Sequence, residues 1–585
     1  MINRINFLNI TANKCIEKSD NKEHKPKPAA IRGGKVSHYN SLPRMSANYF
    51  IPFLGKKDYT ENEKEFSNFK QQLSKKFHKN ERATEVACWD SYIYSSDENA
   101  KKYENAYADF MKLASDEKIF EKLKTIKEAG VSDPKLKKSL DKLLKAYTET
   151  VPNAPALMQL EEQQQKIAQK FNSYRGEVNG EKYSNAQLSK MIDNEKDVDT
   201  RKQLYYARKV KGGDLIANDL VDLVKQRNEF AKKNGYDNYF SYQLQEGYEV
   251  DEKKLFELLD NLEKKTDKVF DKINTKNEKK LADAFGIKPK DLKPWHYGFG
   301  LENSTSKEAD KYIKNNDTLT EQAFDMYKKM GWEIPNLPIL LDIFPKENKN
   351  QHGFCFDIDK NKDVRILANL TNNMNSLETL NHELGHAVYD LGISEHLPYS
   401  DRDVASSAMT EAVAMLMASL PRREGTFVDS LDMPKDLAKK LETERKEGSV
   451  SFVRHCLMLI HFEKELYANP NQDLPELWYG LEKKYKNIDP PEEKGNAWAT
   501  VPHFLSHPAY YQNYLRADIM GAQIYDAATE KLGSLTKNDQ TADYFKKKMF
   551  RHGASLTEDE LIEKITGKEL SVEPYCKQFE DLETD

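Results

Sequence analysis

Along most of the 585-residue chain, apolar side chains recur three and four positions apart, the spacing that lines one face of an α-helix. Ala100, Tyr103, Tyr107, Phe110 and Ala114 form one such stripe, with Ser96 placed to cap the helix that carries it. The same periodicity predicts helices over about 117–148, 157–173, 186–210, 214–234 and 252–275, with Gly212-Gly213 and Lys288-Pro289 as breaks. Near residue 337 the period shortens. Leu337–Phe344, His352–Ile358 and Val364–Leu370 are short β-rich runs, and Asp359-Lys360-Asn361-Lys362 joins the last two as a hairpin. An edge strand there can hold an extended peptide by main-chain hydrogen bonds alone. His352, at the head of one run, reads either as a further substrate contact or as a structural histidine. The pattern predicts a mainly α fold with a small β-sheet.

The helix after the hairpin is the most informative element. Ser376 is the expected cap, Glu378 suits the positive first turn, and Gly392 suits a left-handed stop. Leu377, Leu380, Leu384, Val388 and Leu391 make it a buried helix. It contains His382-Glu383-Leu384-Gly385-His386. Four residues advance about one helical turn, so both imidazoles leave the same side and can grip one ion. Glu383 is placed to take a proton from an attacking water. A catalytic zinc needs a third protein ligand and keeps a fourth position open. No third His follows closely, because His386 precedes Ala-Val-Tyr-Asp. The next predicted helix begins at a capping Ser406 and stops at Pro421. Glu411 is its single acidic residue, on a face of small apolar side chains. A buried carboxylate there is costly without a cation, which makes Glu411 the candidate third ligand.

A second dense stretch is Val501–Tyr514, which holds His503, His507, Tyr510, Tyr511 and Tyr514, with Tyr511 and Tyr514 a turn apart. By themselves these aromatics read equally well as packing.

Composition narrows the class. The net charge of -5 implies no bulk attraction to nucleic acid or anionic lipid. There is no run of eighteen apolar residues to span a membrane, and the N-terminal apolar stretch is too short for a secretory signal. The five cysteines are scattered and form neither a metal spacing nor a disulfide framework, which favours a reducing compartment. The expected location is cytoplasmic, with periplasmic or secreted placement as alternatives. Residues 1–60, with Lys25-Pro26-Lys27-Pro28 and Gly33-Gly34, read as a disordered basic arm, and 61–585 as one domain without repeat or linker.

The His382–His386 motif, Glu411 some 25 residues on, and the His503–Tyr514 segment together resemble the angiotensin-converting-enzyme family of peptidyl dipeptidases, within the Glu-ligated zinc peptidases that include the oligoendopeptidases. The likeness to bacterial members is carried by His352–Asp359, Asp363–Leu367 and Tyr510–Tyr514, and more weakly by Trp89, Arg227–Ala231 and Pro294–Tyr297. The resemblance implies one Zn2+ held by His382, His386 and Glu411, with Glu383 as general base and then general acid. It implies Tyr514 with His503 as oxyanion donors, His507 being the alternative to His503. It implies substrate contacts from His352 and the backbone of Gly353 and Cys355. The implied fold is a two-lobed helical ellipsoid with a deep central channel, and the implied activity is hydrolysis of short peptides with release of C-terminal dipeptides. An oligoendopeptidase, a carboxypeptidase and a catalytically silent peptide-binding protein are the alternatives. The chain departs from the animal enzyme at Thr500-Val501-Pro502, where a carboxylate-binding Lys is missing and Tyr511 is left as carboxylate partner. It departs also at Asn513, in place of a chloride-binding Arg, and at Met415, in place of an Asp, for which Asp390 is the candidate substitute.

Overall fold

The computed structural model describes residues 59–298, 305–347, 349–350, 353–423, 425 and 433–584. The expected N-terminal arm, apart from its last two residues, and His352 lie outside them. Helices make up 73% of the molecule, so the core is built mainly by packing helix on helix.

Four helices open the chain: α1 (Glu61–Ile93), α2 (Asp97–Ala114), α3 (Glu117–Glu128) and α4 (Pro134–Asn172). Ser96 caps α2 as expected, its hydroxyl accepting from Asn99 N–H. The break expected near residues 149–156 is absent. It falls earlier, at Gly130 (φ +86°), where Asp133 caps α4 and Pro134 occupies its first turn; Pro152 and Pro155 lie inside the continuous α4.

Then come α5 (Asn185–Asn194) and α6 (Val198–Tyr205), which passes through a π-helical turn, Tyr206–Lys211, directly into α7 (Gly212–Lys233). The predicted break at Gly212-Gly213 is therefore not a break. A side chain at Gly213 would meet Asn496 O at 1.9 Å, so the glycine is required by a close crossing of another segment. The order continues with α8 (Glu252–Phe285), α9 (Asn316–Lys329), α10 (Met374–Gly392), α11 (Ser407–Ser419), α12 (Lys435–Ala468), α13 (Leu474–Lys486) and α14 (Tyr511–Leu532).

The β-rich runs form a three-stranded sheet of β1 (Ile339–Asp342), β2 (Phe354–Asp357) and β3 (Val364–Leu367), in the order β1-β3-β2. β2 and β3 are the expected antiparallel hairpin, Phe354 opposite Leu367; β1 runs parallel to β3. β2 is thus an edge strand, and it lies against α10.

Two large apolar cores meet on α14. Leu515 and Ile519 pack with α7, α8, α12 and α13, whereas Ala517, Met520 and Ile524 pack with β3, α9, α10 and α11. Leu380 and Leu384 of α10 are fully buried in the second core, where truncation of either costs about 2–5 kcal/mol. Helices α1–α4 have a smaller core of their own. α1 rests on the hairpin through Trp89 and Tyr92, whose rings meet Phe356 edge-on at 5.5 and 5.7 Å. A buried Lys360 adds an ionic tie, its Nζ 3.2 Å from both Glu81 and Asp403.

Candidate metal centre

α10 starts one turn's fraction earlier than expected. Asn373, not Ser376, is the cap, accepting from Ser376 N–H at 2.8 Å, while the Ser376 hydroxyl accepts from Thr371 N–H. Gly392 does not supply a left-handed stop either. It is the last helical residue, and a side chain there would meet Phe550 at 2.6 Å. Glu378 lies past the first turn and pairs with Arg422. α11 matches expectation, with Ser406 capping it by accepting from Met409 N–H.

α11 is gripped between two helices through small residues. A Cβ on Gly385 of α10 would lie 2.8 Å from Ala414 Cα, and one on Gly521 of α14 would lie 3.1 Å from Ala412 O. This close approach brings Glu411 to the histidine face of α10. His382 Nε2 and His386 Nε2 stand 3.2 Å apart, and Glu411 Oε2 lies 3.5 and 4.0 Å from them. Nitrogen and oxygen donors about 2.0–2.2 Å from a tetrahedral zinc are themselves about 3.3–3.5 Å apart, so the three fit such an ion. Among the described residues they are the one His/Cys/Asp/Glu group compact enough to hold a metal.

The electrostatics agree with this geometry. Burial pushes His382 down to about 4 and His386 well below its ordinary value, aided there by its neighbour His382. Both rings are therefore neutral and offer lone pairs. The other nitrogen of His386, Nδ1, is 2.7 Å from Thr410 Oγ1, which orients that ring. Thr410 thus supports His386 from the helix that carries Glu411, and Asp390, the candidate supporting residue, lines the same cavity. Burial pushes Glu411 up to about 7, against a lowering hydrogen bond from Tyr510 Oη to its Oε1 at 3.2 Å. Glu411 Oε2 is buried with no hydrogen-bond partner. A cation between it and the two facing imidazole nitrogens resolves an otherwise costly arrangement. Glu383, 6% exposed, is pushed up to about 8 by burial and then by the Glu411 charge.

These groups face a cavity of about 1520 Å³, walled on the far side by α1 and α4 and reached by the edge strand β2. Gly353, Cys355, His382, Glu383, His386 and Glu411 all line it, as do His503, His507 and Tyr514. Tyr514 Oη and His503 Nε2 are 3.4 Å apart. His507 Nδ1 meets Ser506 Oγ at 2.5 Å. Tyr511 is not on the cavity wall. Its ring packs at 4.7 Å on His503 and edge-on to His455 at 6.3 Å. Met415 lines the cavity, and Asn513 is buried against Gln512. The residue that spacing alone passed over is Tyr510, just outside the α14 periodicity, whose hydroxyl reaches Glu411.

Fold and site define a helical protein in which an H-E-x-x-H helix is completed by a glutamate from the next long helix. The chain belongs to peptidase family M3, whose model matches residues 191–581. The angiotensin-converting enzyme family model matches residues 60–292. The chain is similar to oligopeptidase PepF of Bacillus subtilis, 28% identical over 234 residues, covering 37% of this chain and 32% of that protein. It is also similar to thermostable carboxypeptidase 1 of Thermus thermophilus, 22% identical over 227 residues, covering 34% and 44%. The matches thus span less than half the length of these relatives. No helix among the described residues is long and apolar enough to cross a membrane.

Proposed function

We propose that the protein is a zinc metallopeptidase acting on short peptides, with 61–585 as one two-lobed catalytic unit around a deep channel. The observation that carries this reading is the partnerless Glu411 Oε2 turned toward two neutral, facing histidines in a cavity that also holds Glu383. A zinc ion held by His382, His386 and Glu411 would polarise the scissile carbonyl and acidify the attacking water. Glu383, buried and with a raised affinity for protons, takes the water's proton and returns it to the leaving amine. Tyr514, with His503 behind it, donates a hydrogen bond to the oxygen that becomes negative as the carbonyl is attacked. His507 lies next to this pair as the alternative donor. The edge strand β2, with Gly353 and Cys355 on the cavity wall, holds the substrate backbone, with His352 as a further contact.

For the mode of cleavage, release of C-terminal dipeptides follows from the family likeness. Lys209, which donates to Thr500 Oγ1 at 3.3 Å, lies near the segment that lacks its own Lys but does not line the cavity. Internal cleavage is favoured instead by the position of Tyr511 off the cavity wall and by the similarity to an oligopeptidase. Mass spectrometry of products from one peptide with a free C-terminus and its amidated twin separates the modes. Dipeptide release is lost on amidation, whereas internal cleavage persists. Tight zinc binding with no cleavage of a mixed peptide pool would leave the protein a peptide binder.

A further inference from the structure

The turn between the short helix Pro502–Ser506 and α14 is held from outside by buried polar side chains. Its own backbone bonds are few: His507 N–H donates to His503 O at 2.7 Å and Tyr510 N–H to His507 O at 3.2 Å. The carbonyls of Phe504 and Leu505 accept instead from Arg227 Nη1 at 3.1 Å and Nη2 at 2.6 Å. Tyr248 Oη donates to Pro508 O at 3.1 Å, and Ala509 N–H donates to Glu463 Oε1 at 2.9 Å. Arg227 and Glu463 are 3% and 1% exposed. Apolar residues of like volume would serve packing without the cost of burying a guanidinium and a carboxyl group.

These bonds converge on a backbone irregularity. Ala509 has φ +59°, a left-handed conformation that costs a residue with a side chain about 1–2 kcal/mol. The bend directs the next residue, Tyr510, onto Glu411, and the Tyr248 ring packs against Tyr510 at 6.1 Å.

We infer that Arg227 and Glu463 are positioning residues for the metal centre. By fixing Ala509 in its left-handed bend they deliver the Tyr510 hydroxyl to Glu411 Oε1 and thereby hold Oε2 toward His382 and His386. The kinetic consequence rests on the hydrolytic reading; the placement of Tyr510 and the affinity for metal do not.

The test uses the full chain with Glu463→Ala, Glu463→Gln and Glu463→Ala combined with Ala509→Gly. A crystal structure of each reads Tyr510 directly, competition with a chromophoric chelator reads zinc affinity, and peptide assays read kcat and KM. Glu463→Ala is expected to move Tyr510 out of hydrogen-bonding reach of Glu411 and to weaken zinc binding on the order of 10-fold. It should lower kcat with KM changed by less than about threefold. Glu463→Gln, which keeps an acceptor for Ala509 N–H, should match wild type, and Ala509→Gly should recover part of the loss because glycine tolerates the bend unaided. Tyr510 unmoved with zinc affinity unchanged in Glu463→Ala, or a Glu463→Gln defect as large as that of Glu463→Ala, overturns the assignment. Should Glu463→Ala not fold, Tyr248→Phe removes one donor from the same turn and is read in the same way. A wild type that binds zinc and cleaves nothing overturns the hydrolytic reading alone and leaves the first two readouts to decide.

Discussion

Gly353 lies directly against Glu383: a Cβ built on this glycine would sit 2.7 Å from the carboxylate Oε1 and 3.4 Å from Thr379 Cγ2. The atom met is the far end of a flexible side chain that lines the cavity, so the carboxylate is what gives way. Gly353→Ala is expected to push the carboxylate off the attacking-water position while leaving the three candidate ligands in place. Metal content by mass spectrometry should be unchanged, and kcat should fall about 10–100-fold, the scale of a misplaced proton acceptor. Full activity in the variant would mean that the Gly353 contact does not constrain the base.

Glu383→Gln keeps the volume of the side chain and removes its ability to accept a proton. The ligand atoms of His382, His386 and Glu411 do not depend on it, and the substitution also removes the charge of Glu383 from beside Glu411. Zinc stoichiometry should therefore stay at wild-type level while hydrolysis drops by about 10²–10⁴. Substantial turnover in a variant shown to contain zinc would sink the assignment of Glu383 as base.

The helix with the candidate ligands His382 and His386 is legible in the chain because its evidence is local. A capped, apolar stripe fixes the helix, and the helix fixes the mutual placement of His382 and His386. Glu411 was readable for a similar reason, as one acid on a small-residue face, although the close crossings at Gly385 and Gly521 that bring it to the histidines are visible only in space. Local signals also misled where tertiary contacts decide. Gly212-Gly213 and Gly392 look like helix breakers, yet Gly213 makes room for Asn496 and Gly392 for Phe550. The contact of Tyr510 with Glu411 is not legible because helical spacing favours Tyr511 and Tyr514, whereas the position of Tyr510 is set by a bend at Ala509 anchored to Glu463, 46 residues away. Thr410 was hidden for the same reason, since its link to His386 crosses between two helices.

Tyr514 is read as a donor to the developing oxyanion, a role met in the transition state and not in the ground state. Its hydroxyl is 3.4 Å from His503 Nε2, and burial, followed by the Glu411 charge, pushes the phenol far above its ordinary value, so it stays protonated. Tyr514→Phe removes the donor and little volume. The expected result is a loss of about 10²–10³ in kcat with KM nearly constant. A rise in KM at unchanged kcat would make Tyr514 a substrate-binding residue instead.

Glu463 makes the pH dependence of stability predictable. Burial pushes its carboxyl up to about 8, opposed by the Ala509 N–H and by Arg227, with the Tyr248 and Tyr467 hydroxyls facing it as well. An unfolded glutamate titrates at about 4.3. Between these values the folded chain holds a proton that the unfolded chain has released. The contribution to stability is fully present below about pH 4, declines as pH rises through the window, and is level above about 8. Glu463→Gln mimics the protonated acid at every pH and cannot titrate. Its melting temperature relative to wild type should rise steadily from about pH 5 to about pH 8.5, by an amount corresponding to on the order of a few kcal/mol. Calorimetry of both proteins across that range at fixed ionic strength reads the difference. Parallel curves would show that Glu463 carries the same charge throughout, and that Arg227 holds it ionised despite its burial.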